Sequence, residues 1–228
     1  MIENLDCKVL ILTSDPGTIA EVTEIGKRNF ESVVVLFWEM GDMSTKPAVL
    51  QQIDATDYNL IISHINGIIL KRHHLDKAHF GAINIHPAPP EHGGAWGIWS
   101  QPVICRDFRT HHGVTVHEMD EDIDHGPIYQ VKRWEVSEDT TIQSVVERSF
   151  AECLTIFEQV AHDLSQSPNG TRSFDPINET WHPTNRNHTV EDVRRWFEAL
   201  DPAHPAHQER VPFNHPRAIF SLPYFDDL

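Results

Sequence analysis

The stretch KVLILTSDPG, residues 8–17, decides the fold, because an apolar run of strand length stops there at a turn signal. Three similar runs follow it along the chain: ESVVVLFWE (31–39), NLIISHI (59–65) and AINIH (82–86). Helical segments are predicted between the four runs at about 18–29 and 47–53, and a turn or short helix is predicted at 75–80. Strands and helices that alternate in this way predict a doubly wound α/β fold, in which helices cover both faces of a mostly parallel sheet.

The second half of the chain predicts a pair of strands, a long helix and then irregular chain. The residues of these three elements are 112–119 and 127–136 for the strands and 140–164 for the helix. The two strands flank an acidic loop and are expected to form a hairpin. After Ser165, proline, asparagine, serine and threonine dominate. We therefore divide the chain into a main domain at 1–165 and a small irregular C-terminal extension at 166–228, whose short helix (190–200) is expected to pack on the core.

The charge and the cysteine content restrict the class of protein. Asp and Glu outnumber Lys and Arg by 34 to 18, and the net charge of -16 argues against nucleic acid or an anionic membrane as a partner. The 3 cysteines are widely spaced, as expected in a reducing compartment. The first residues do not read as a secretory signal, and no apolar stretch reaches the roughly 20 residues of a membrane-spanning helix. The sequence thus predicts a cytoplasmic protein.

A polar platform, NIHPAPP at 84–90, ends the fourth predicted strand. Side chains alternate along a strand, so Asn84 and His86 share one face while Ile83 and Ile85 share the other. In doubly wound sheets the functional groups gather at the carboxyl ends of strands, which is where His86 lies. The sequence has neither G-x-G-x-x-G nor a P-loop motif. The platform is therefore either a functional site or a polar strand end that enters a turn.

The acidic loop after the 112–119 strand has three interpretations. Its acidic and histidine side chains are Asp120, Glu121, Asp122, Asp124, His117 and His125. They could bind a metal, but their spacing matches no common ligand pattern, and a solvated turn is the better reading. Alternatively one carboxylate turns inward to orient His86, as in many acid–base sites. Asp124 is the best candidate, because Gly126 and Pro127 would fix the turn. Two histidine pairs are interpreted as exposed loop residues: His73–His74 and His111–His112.

Three motifs in order resemble those of the folate-dependent formyltransferases. They are N-I-H-P (84–87), G-V-T-V-H (113–117) and D-I-D-H-G-P-I (122–128). Each alone is weak, but the three at this spacing are specific, and the similarity is good over roughly residues 58–135. The family includes enzymes that formylate glycinamide ribonucleotide, methionyl-tRNA and nucleotide-linked amino sugars. The resemblance implies a Rossmann-like α/β fold, which agrees with the strand–helix pattern, and N10-formyltetrahydrofolate as the co-substrate.

The resemblance also implies roles for single residues. The family's Asn-His-Asp catalytic set falls on Asn84, His86 and Asp124. Asn84 and a protonated His86 would donate hydrogen bonds to the formyl oxygen, and Asp124 would stabilise the imidazolium and accept the proton of the amine. The pterin would lie in an apolar slot beside the acidic loop and the segment before the N-x-H strand. The candidate cofactor-binding residues are Ile68, Ile69, Leu70, Asp122 and Ile123.

Motif differences separate the members of this family. The chain has S-D-P-G-T at 14–18 where the glycinamide ribonucleotide enzymes carry a phosphate loop, and it is acidic where the methionyl-tRNA enzymes carry a basic RNA-binding domain. The stretch from His117 to Ile128 is most similar to the amino-sugar enzymes. The resemblance therefore implies a small-molecule amine as the acceptor, above all a nucleotide-linked amino-dideoxy sugar. No metal cofactor is expected, and a homodimer is compatible with the sequence.

Several alternatives stay open. The segment N-G-I-I-L-K at 66–71, followed by Arg72, departs from the lysine motif with which the amino-sugar enzymes meet the pyrophosphate. Trp96 or Trp99 could stack on a base or a sugar, or could pack in the core. The acceptor could also be an amino acid or a hydroxylamine of the siderophore type, or glycinamide ribonucleotide. Outside this class, the chain could be a non-catalytic folate-binding or metal-binding protein.

Overall fold

The computed structural model of the protein describes residues 7–94, 111–136, 142–167 and 169–181. The strands within these ranges are β1 (Lys8–Thr13), β2 (Ser32–Phe37), β3 (Leu60–His64), β4 (Ala82–His86), β5 (His111–Glu118) and β6 (Ile128–Glu135). They form one sheet in the order β2-β1-β3-β4-β5-β6. The first four strands are parallel, and β5 and β6 add an antiparallel hairpin beyond β4. The Rossmann-like α/β class predicted from the sequence is confirmed, including the hairpin around the acidic loop.

The helices lie between the strands and after the hairpin. Their bounds are Ile19–Asn29 (α1), Lys46–Ala55 (α2), Arg72–Lys77 (α3) and Ile142–Ser165 (α4). The segment expected at 75–80 begins earlier than predicted, because the backbone N–H of Lys71 bonds Nδ1 of His74 at 3.0 Å and closes the first turn of α3. None of the helices in the described ranges has the length and apolar composition of a membrane span. The expected 190–200 helix and the Trp96–Trp99 loop lie outside the described residues.

Strand β1 shows how the sheet separates two cores. Val9 and Ile11 lie in a cluster with α1 and α4, whereas Leu10 and Leu12 lie in a cluster with α2. Alternation of side chains along the strand sends these pairs to opposite faces. Each fully buried aliphatic side chain contributes roughly 1.5–3 kcal/mol relative to an exposed one. Strand β2 lies at the edge of the sheet and is only partly buried, with Val34 38% exposed.

The acidic loop folds back over the sheet after β5. Its first residue, Met119, donates its N–H to the carbonyl of Ala82 at the start of β4 (2.8 Å). Further along the loop, the side chain of Asp124 contacts Asn84 and His86. The loop therefore crosses the polar face of β4 instead of extending away from the sheet into solvent.

Residues 169–181, which we name the strap, pass around the edge strand β6. The N–H of Thr171 donates to the carbonyl of Phe80 at 2.8 Å, and the N–H of Ile177 donates to the carbonyl of Ile128 at 2.8 Å. Beyond that point Glu179 binds Arg133, whose guanidinium also binds Glu91. These contacts cover part of the exposed edge of the sheet and bring the end of the strap to the face that carries Asn84 and His86.

Candidate active site

The polar platform of β4 is completed by β5. In the antiparallel register His117 lies opposite Asn84 and Thr115 lies opposite His86. Nδ2 of Asn84 is 3.0 Å from Nε2 of His117. Directly opposed side chains on neighbouring strands are close enough to bond, so this contact follows from the register. The prediction that Asn84 and His86 share a face is confirmed, and His117 joins them.

The carboxylate of Asp124 lies at the centre of this group. Its Oδ1 is 3.4 Å from Nδ2 of Asn84 and 3.2 Å from Nε2 of His117. Its Oδ2 accepts the backbone N–H of Gly94 at 2.6 Å and is 3.5 Å from Nδ1 of His86. The structure thus brings together the three residues that the resemblance assigns to catalysis. It also adds His117 and the N–H of Gly94.

Local backbone geometry turns Asp124 inward. Asp124 has a φ of 46°, in the left-handed region that aspartate tolerates better than most residues. A Cβ at Gly126 would come within 2.1 Å of the carbonyl oxygen of Glu118, so the return of the loop to β6 requires glycine there. Of the three interpretations of the acidic loop, the inward carboxylate is the one that the structure shows. The other acidic side chains of the loop are exposed or partly exposed, and His125 pairs with Asp120.

One ring nitrogen of His117 donates to a backbone carbonyl, and the other faces two different partners. Its Nδ1–H donates to the carbonyl of Glu118 at 2.7 Å. Nε2 faces both the amide of Asn84, which donates a hydrogen bond, and the carboxylate of Asp124, which accepts one. A neutral ring accepts an N–H from Asn84, whereas a charged ring donates to Asp124. A proton that enters this group can therefore rest on His117 and release the amide of Asn84 for another partner.

His86 is held between two protein oxygens. Its Nε2–H donates to the carbonyl of His92 at 3.0 Å, and Nδ1 faces Asp124. Donation from His86 to a substrate oxygen would therefore require the ring to give up one of these partners. The Nδ2 group of Asn84 also faces two protein partners, His117 and the more distant Asp124, but its side chain is only half-buried.

Burial and charge both act on Asp124, and charge prevails. Asp124 and His86 are each 7% exposed, and His117 is 2% exposed. Burial alone would raise the pKa of Asp124, but the neighbouring charge of His86, the contacts with His117 and the N–H of Gly94 hold the pKa well below its usual value. The carboxylate is therefore ionised at neutral pH, and it is the fixed negative charge of the site.

The end of the strap covers this group. The ring of Trp181 lies edge-on to His117, with centroids 4.8 Å apart, and edge-on to His86 at 5.8 Å. Its Nε1–H donates to the carbonyl of Gly126 at 3.0 Å. A Cβ on Gly93 would lie 3.3 Å from the Trp181 ring. Trp181 thus packs between the acidic loop and the loop after β4.

The candidate folate-binding residues differ in what they present to solvent. Ile68 and Leu70 point into the core on the α2 side of the sheet, whereas Ile69 and Ile123 are 37% and 42% exposed. Both backbone polar groups of Ile68 bond the side-chain amide of Asn66. Asp122 is exposed on the acidic loop. Ile68 and Leu70 therefore anchor the 68–70 segment to the core, and Ile69 is the side chain of this segment that is open to a ligand.

The prediction that both histidine pairs are exposed loop residues is wrong, because the pairs lie in α3 and β5 and one member of each is buried. His73 and His111 are exposed, but His74 and His112 are 2% and 1% exposed, because α3 and β5 turn them into the protein. In the described ranges, one cluster has ligand atoms close enough for a metal: Asp54, His73 and His74. Nδ1 of His74 accepts the N–H of Lys71, so the proton lies on Nε2 and donates to Asp54 at 2.9 Å. That arrangement is a hydrogen-bonded helix cap and presents no Nε2 lone pair to an ion.

Sequence reasoning missed the contributions of His117, Gly94 and Trp181. The alternation of 112–119 places His117 on the same face as Thr115, but its approach to Asn84 depends on the pairing of β5 with β4. A prediction that these two strands pair would therefore have identified His117. Gly94 and Trp181 reach the site from loops, and their sequence context carries no comparable signal.

Comparison with known proteins agrees with this geometry. A model of the formyl transferase family matches residues 3–159. The methionyl-tRNA formyltransferase of Halorhodospira halophila is 35% identical over 99 residues, which are 43% of this chain and 31% of that protein. The chain therefore spans about a third of the length of this curated relative.

Solved structures share the fold. The formyltransferase PseJ of Anoxybacillus kamchatkensis, in complex with UDP-4,6-dideoxy-4-formamido-L-AltNAc and tetrahydrofolate, has a TM-score of 0.60 at 20% identity, over 88% of this chain and 96% of its own. The phosphoribosylglycinamide formyltransferase of Streptococcus pneumoniae has a TM-score of 0.54 at 19% identity, over 69% and 98%. At such identities the likeness establishes the architecture.

Proposed function

The chain belongs to the formyl transferase family, and from that premise we propose that it moves the formyl group of N10-formyltetrahydrofolate to the amine of a small molecule, a nucleotide-linked amino-dideoxy sugar. The observation that carries the proposal is that Asn84 and His86 both contact the buried carboxylate of Asp124. A donor amide at the open side and an ionised carboxylate behind it are the groups that acyl transfer to an amine requires.

The first step is attack on the formyl carbon. The acceptor nitrogen, as a neutral amine, forms a bond to that carbon, and negative charge develops on the formyl oxygen. One hydrogen of Asn84 Nδ2 stays hydrogen-bonded to His117, and the second leaves its 3.4 Å contact with Asp124 Oδ1 and donates to the formyl oxygen. A fixed donor in a site with little water typically contributes about 3 kcal/mol to stabilisation of the transition state.

The second step moves the protons. As the new C–N bond forms, the nitrogen becomes acidic and gives a proton to Asp124. The C–N10 bond then breaks, N10 takes up a proton, and tetrahydrofolate leaves. His86 and His117 lie on either side of the Asp124 carboxylate and stabilise its charge, while His117 can hold the proton between the two transfers.

The pterin is proposed to lie between the 68–70 segment and the acidic loop. Ile69 and Ile123 supply exposed apolar surface for a flat heterocycle, and the backbone of Ile69 and Leu70 supplies hydrogen bonds. Asp122 lies beside Ile123 and can accept an N–H from the ring. PseJ, which has the same architecture, was solved with tetrahydrofolate bound, which supports a folate co-substrate for this chain.

Asp15 argues against a phosphate site at the N-terminus of α1. Its buried carboxylate accepts the N–H of Gly17 at 3.0 Å and the hydroxyl of Thr18 at 2.8 Å, at the N-terminus of α1. A phosphate would use the same kind of donors at a helix N-terminus. Here the chain's own carboxylate is bonded to them, and its charge repels a second anion. The phosphates of a nucleotide acceptor would therefore bind elsewhere, and glycinamide ribonucleotide is disfavoured.

An acceptor screen tests the proposed function. Purified protein and N10-formyltetrahydrofolate are mixed with dTDP-, UDP- and GDP-linked 3- and 4-amino sugars, with N-hydroxyornithine and with glycinamide ribonucleotide, and release of tetrahydrofolate is followed. We expect turnover with a nucleotide-linked amino sugar, and none with the Asn84→Ala control. Turnover only with N-hydroxyornithine or the ribonucleotide would replace the proposed acceptor. Binding of 5-formyltetrahydrofolate without turnover of any acceptor would favour a folate-binding protein.

A further inference from the structure

We propose that Trp181 keeps water away from the Asp124 carboxylate, so that the formyl group passes to the acceptor amine and not to water. This inference rests on the proposed use of a formyl-folate donor. It assigns Trp181 as a positioning residue, because its ring contacts His86 and His117 and no part of it is required to touch the reacting atoms.

The need for such a residue follows from the chemistry of the site. A formyl group whose oxygen is bonded by Asn84, beside an ionised Asp124, is activated toward any nucleophile. A water molecule next to that carboxylate would lose a proton to it while its oxygen bonds the formyl carbon. The C–N10 bond would break, N10 would take the proton, and formate and tetrahydrofolate would be released. The same groups that promote transfer therefore also promote hydrolysis unless water is excluded.

Trp181 is built into the place where such a water would bind. It is 8% exposed, and it lies against the edges of both imidazoles and beneath Gly93. Its Nε1–H occupies the carbonyl of Gly126, two residues after Asp124. Without the indole, that carbonyl and the two imidazoles would line a space large enough for several waters, and polar cavities of this kind fill with water.

The strap holds the indole by contacts that are independent of the substrate. Two residues before Trp181, Glu179 accepts from both terminal nitrogens of Arg133, at 2.8 Å and 2.7 Å. The same guanidinium binds Glu91 at 2.7 Å, in the short turn after β4. Such paired hydrogen bonds between a guanidinium and a carboxylate fix direction as well as distance. Trp181 is thus fixed over the site before any ligand binds.

The chain offers a matched control for Trp181. Trp134 on β6 also lies edge-on to a buried histidine, with its centroid 5.3 Å from that of His112, but on the opposite face of the sheet. Replacement of either tryptophan by phenylalanine removes similar volume from a similar contact. Only the Trp181 change opens the face that carries Asp124.

The test measures hydrolysis of N10-formyltetrahydrofolate without any acceptor, by release of tetrahydrofolate and by incorporation of oxygen-18 from labelled water into formate. We expect Trp181→Ala to raise this hydrolysis by about tenfold or more, with the KM for the folate changed by less than about threefold. Trp181→Phe should give a smaller increase, and Trp134→Phe should leave hydrolysis at the wild-type rate. Thermal melting confirms that each variant is folded.

Several outcomes would overturn the inference. One is a set of folded Trp181 variants that hydrolyse the folate no faster than wild type while transfer by the wild type is intact. Another is equal hydrolysis in Trp181→Phe and Trp134→Phe, which would make the effect a general loss of packing. Unfolding of both Trp181 variants would assign the residue to stability alone. If the wild-type chain neither binds nor turns over the folate, the proposed function fails and this inference fails with it.

Discussion

Strand β5 carries two buried histidines that face opposite sides of the sheet, and each has a tryptophan ring against its edge. His112 lies beside Trp134 in the core that β5 shares with α4, and His117 lies beside Trp181 on the face of Asn84. Burial is nearly the same, 1% and 2% exposed. The difference is a carboxylate: Asp124 lies 3.2 Å from Nε2 of His117.

This difference gives the two imidazoles different partners. Burial, together with the charges of His92 and His86, lowers the pKa of His112 to about 3, so the ring stays neutral at neutral pH. His117 has an anion that can stabilise its charged form and an amide that can bond its neutral form. Burial alone therefore does not describe either site, and the group that faces the imidazole matters as well.

Removal of that counter-charge should have the largest effect. Asp124→Asn keeps an oxygen for the N–H of Gly94 but removes the proposed base and the anion, and we expect kcat for formyl transfer to fall by about 10³-fold. The measurement is steady-state release of tetrahydrofolate with the acceptor that the screen identifies. Asp120→Asn in the same loop is the control, because its amide oxygen still accepts the N–H of Asp122; it should stay within about threefold of wild type. A kcat for Asp124→Asn near that of wild type would remove Asp124 from the mechanism.

Substitution of His117 should have an intermediate effect on activity, and the same substitution of His112 serves as its control. His117→Asn removes a group that contacts both Asn84 and Asp124, and we expect kcat to fall by roughly 10–100-fold. His112→Asn should lower the melting temperature and leave kcat of the folded protein within about threefold. Equal loss of kcat in both variants, measured on protein shown to be folded, would mean that the carboxylate does not distinguish the two sites.

The pH dependence of stability should show the smallest effect. The pKa of His112 is about 3 in the folded state against an ordinary 6.5, and burial lowers that of His64 to about 4. The unfolded chain therefore binds more protons below pH 6.5. The contribution of these two histidines to the free energy of unfolding is maintained above that pH, and it is lost as the pH falls from 6.5 to about 4 for His64 and to about 3 for His112.

A substitution tests this origin of the acid sensitivity. His112→Phe should remove about one proton from the slope between pH 6 and pH 4, about 1.4 kcal/mol per pH unit, in urea unfolding followed by fluorescence. The neighbouring exposed His111→Asn should leave the slope unchanged. An unaltered slope in His112→Phe would show that His112 is protonated equally well in the folded and unfolded states.

Regular elements were predictable because their signals are local. The four apolar runs gave the parallel strands, and periodicity gave α1 and α4 to within a few residues. The early start of α3 was not predicted, because a side-chain bond from His74 to the backbone of Lys71 decides it. The division of the chain at Ser165 stays a prediction. The strap belongs to the start of the extension. It packs on the sheet through contacts that no periodic sequence pattern predicts.

The candidate site was predictable only in part, for the same reason. Asn84 and His86 lie side by side because of strand alternation, which a sequence displays directly. Asp124 was the candidate that the Gly126–Pro127 turn favoured and that the resemblance assigned to catalysis, but its approach depends on a left-handed residue and on Gly126 packed against Glu118. The folate role of the 68–70 segment stays a prediction, and of its three apolar residues only Ile69 is exposed, because a run of consecutive apolar residues does not tell which of them point inward.

The sequence by itself determined the alternating α/β plan, the polar pair on β4 and the acidic character of the loop that follows β5. These features depend on residues close together in the chain, where side-chain periodicity and turn chemistry act. Tertiary structure alone decided that Asp124 is buried between two imidazoles, that His117 joins Asn84, and that Trp181 covers them. Those contacts join residues far apart in the chain, and they depend on strand register and loop closure, which only the folded chain specifies.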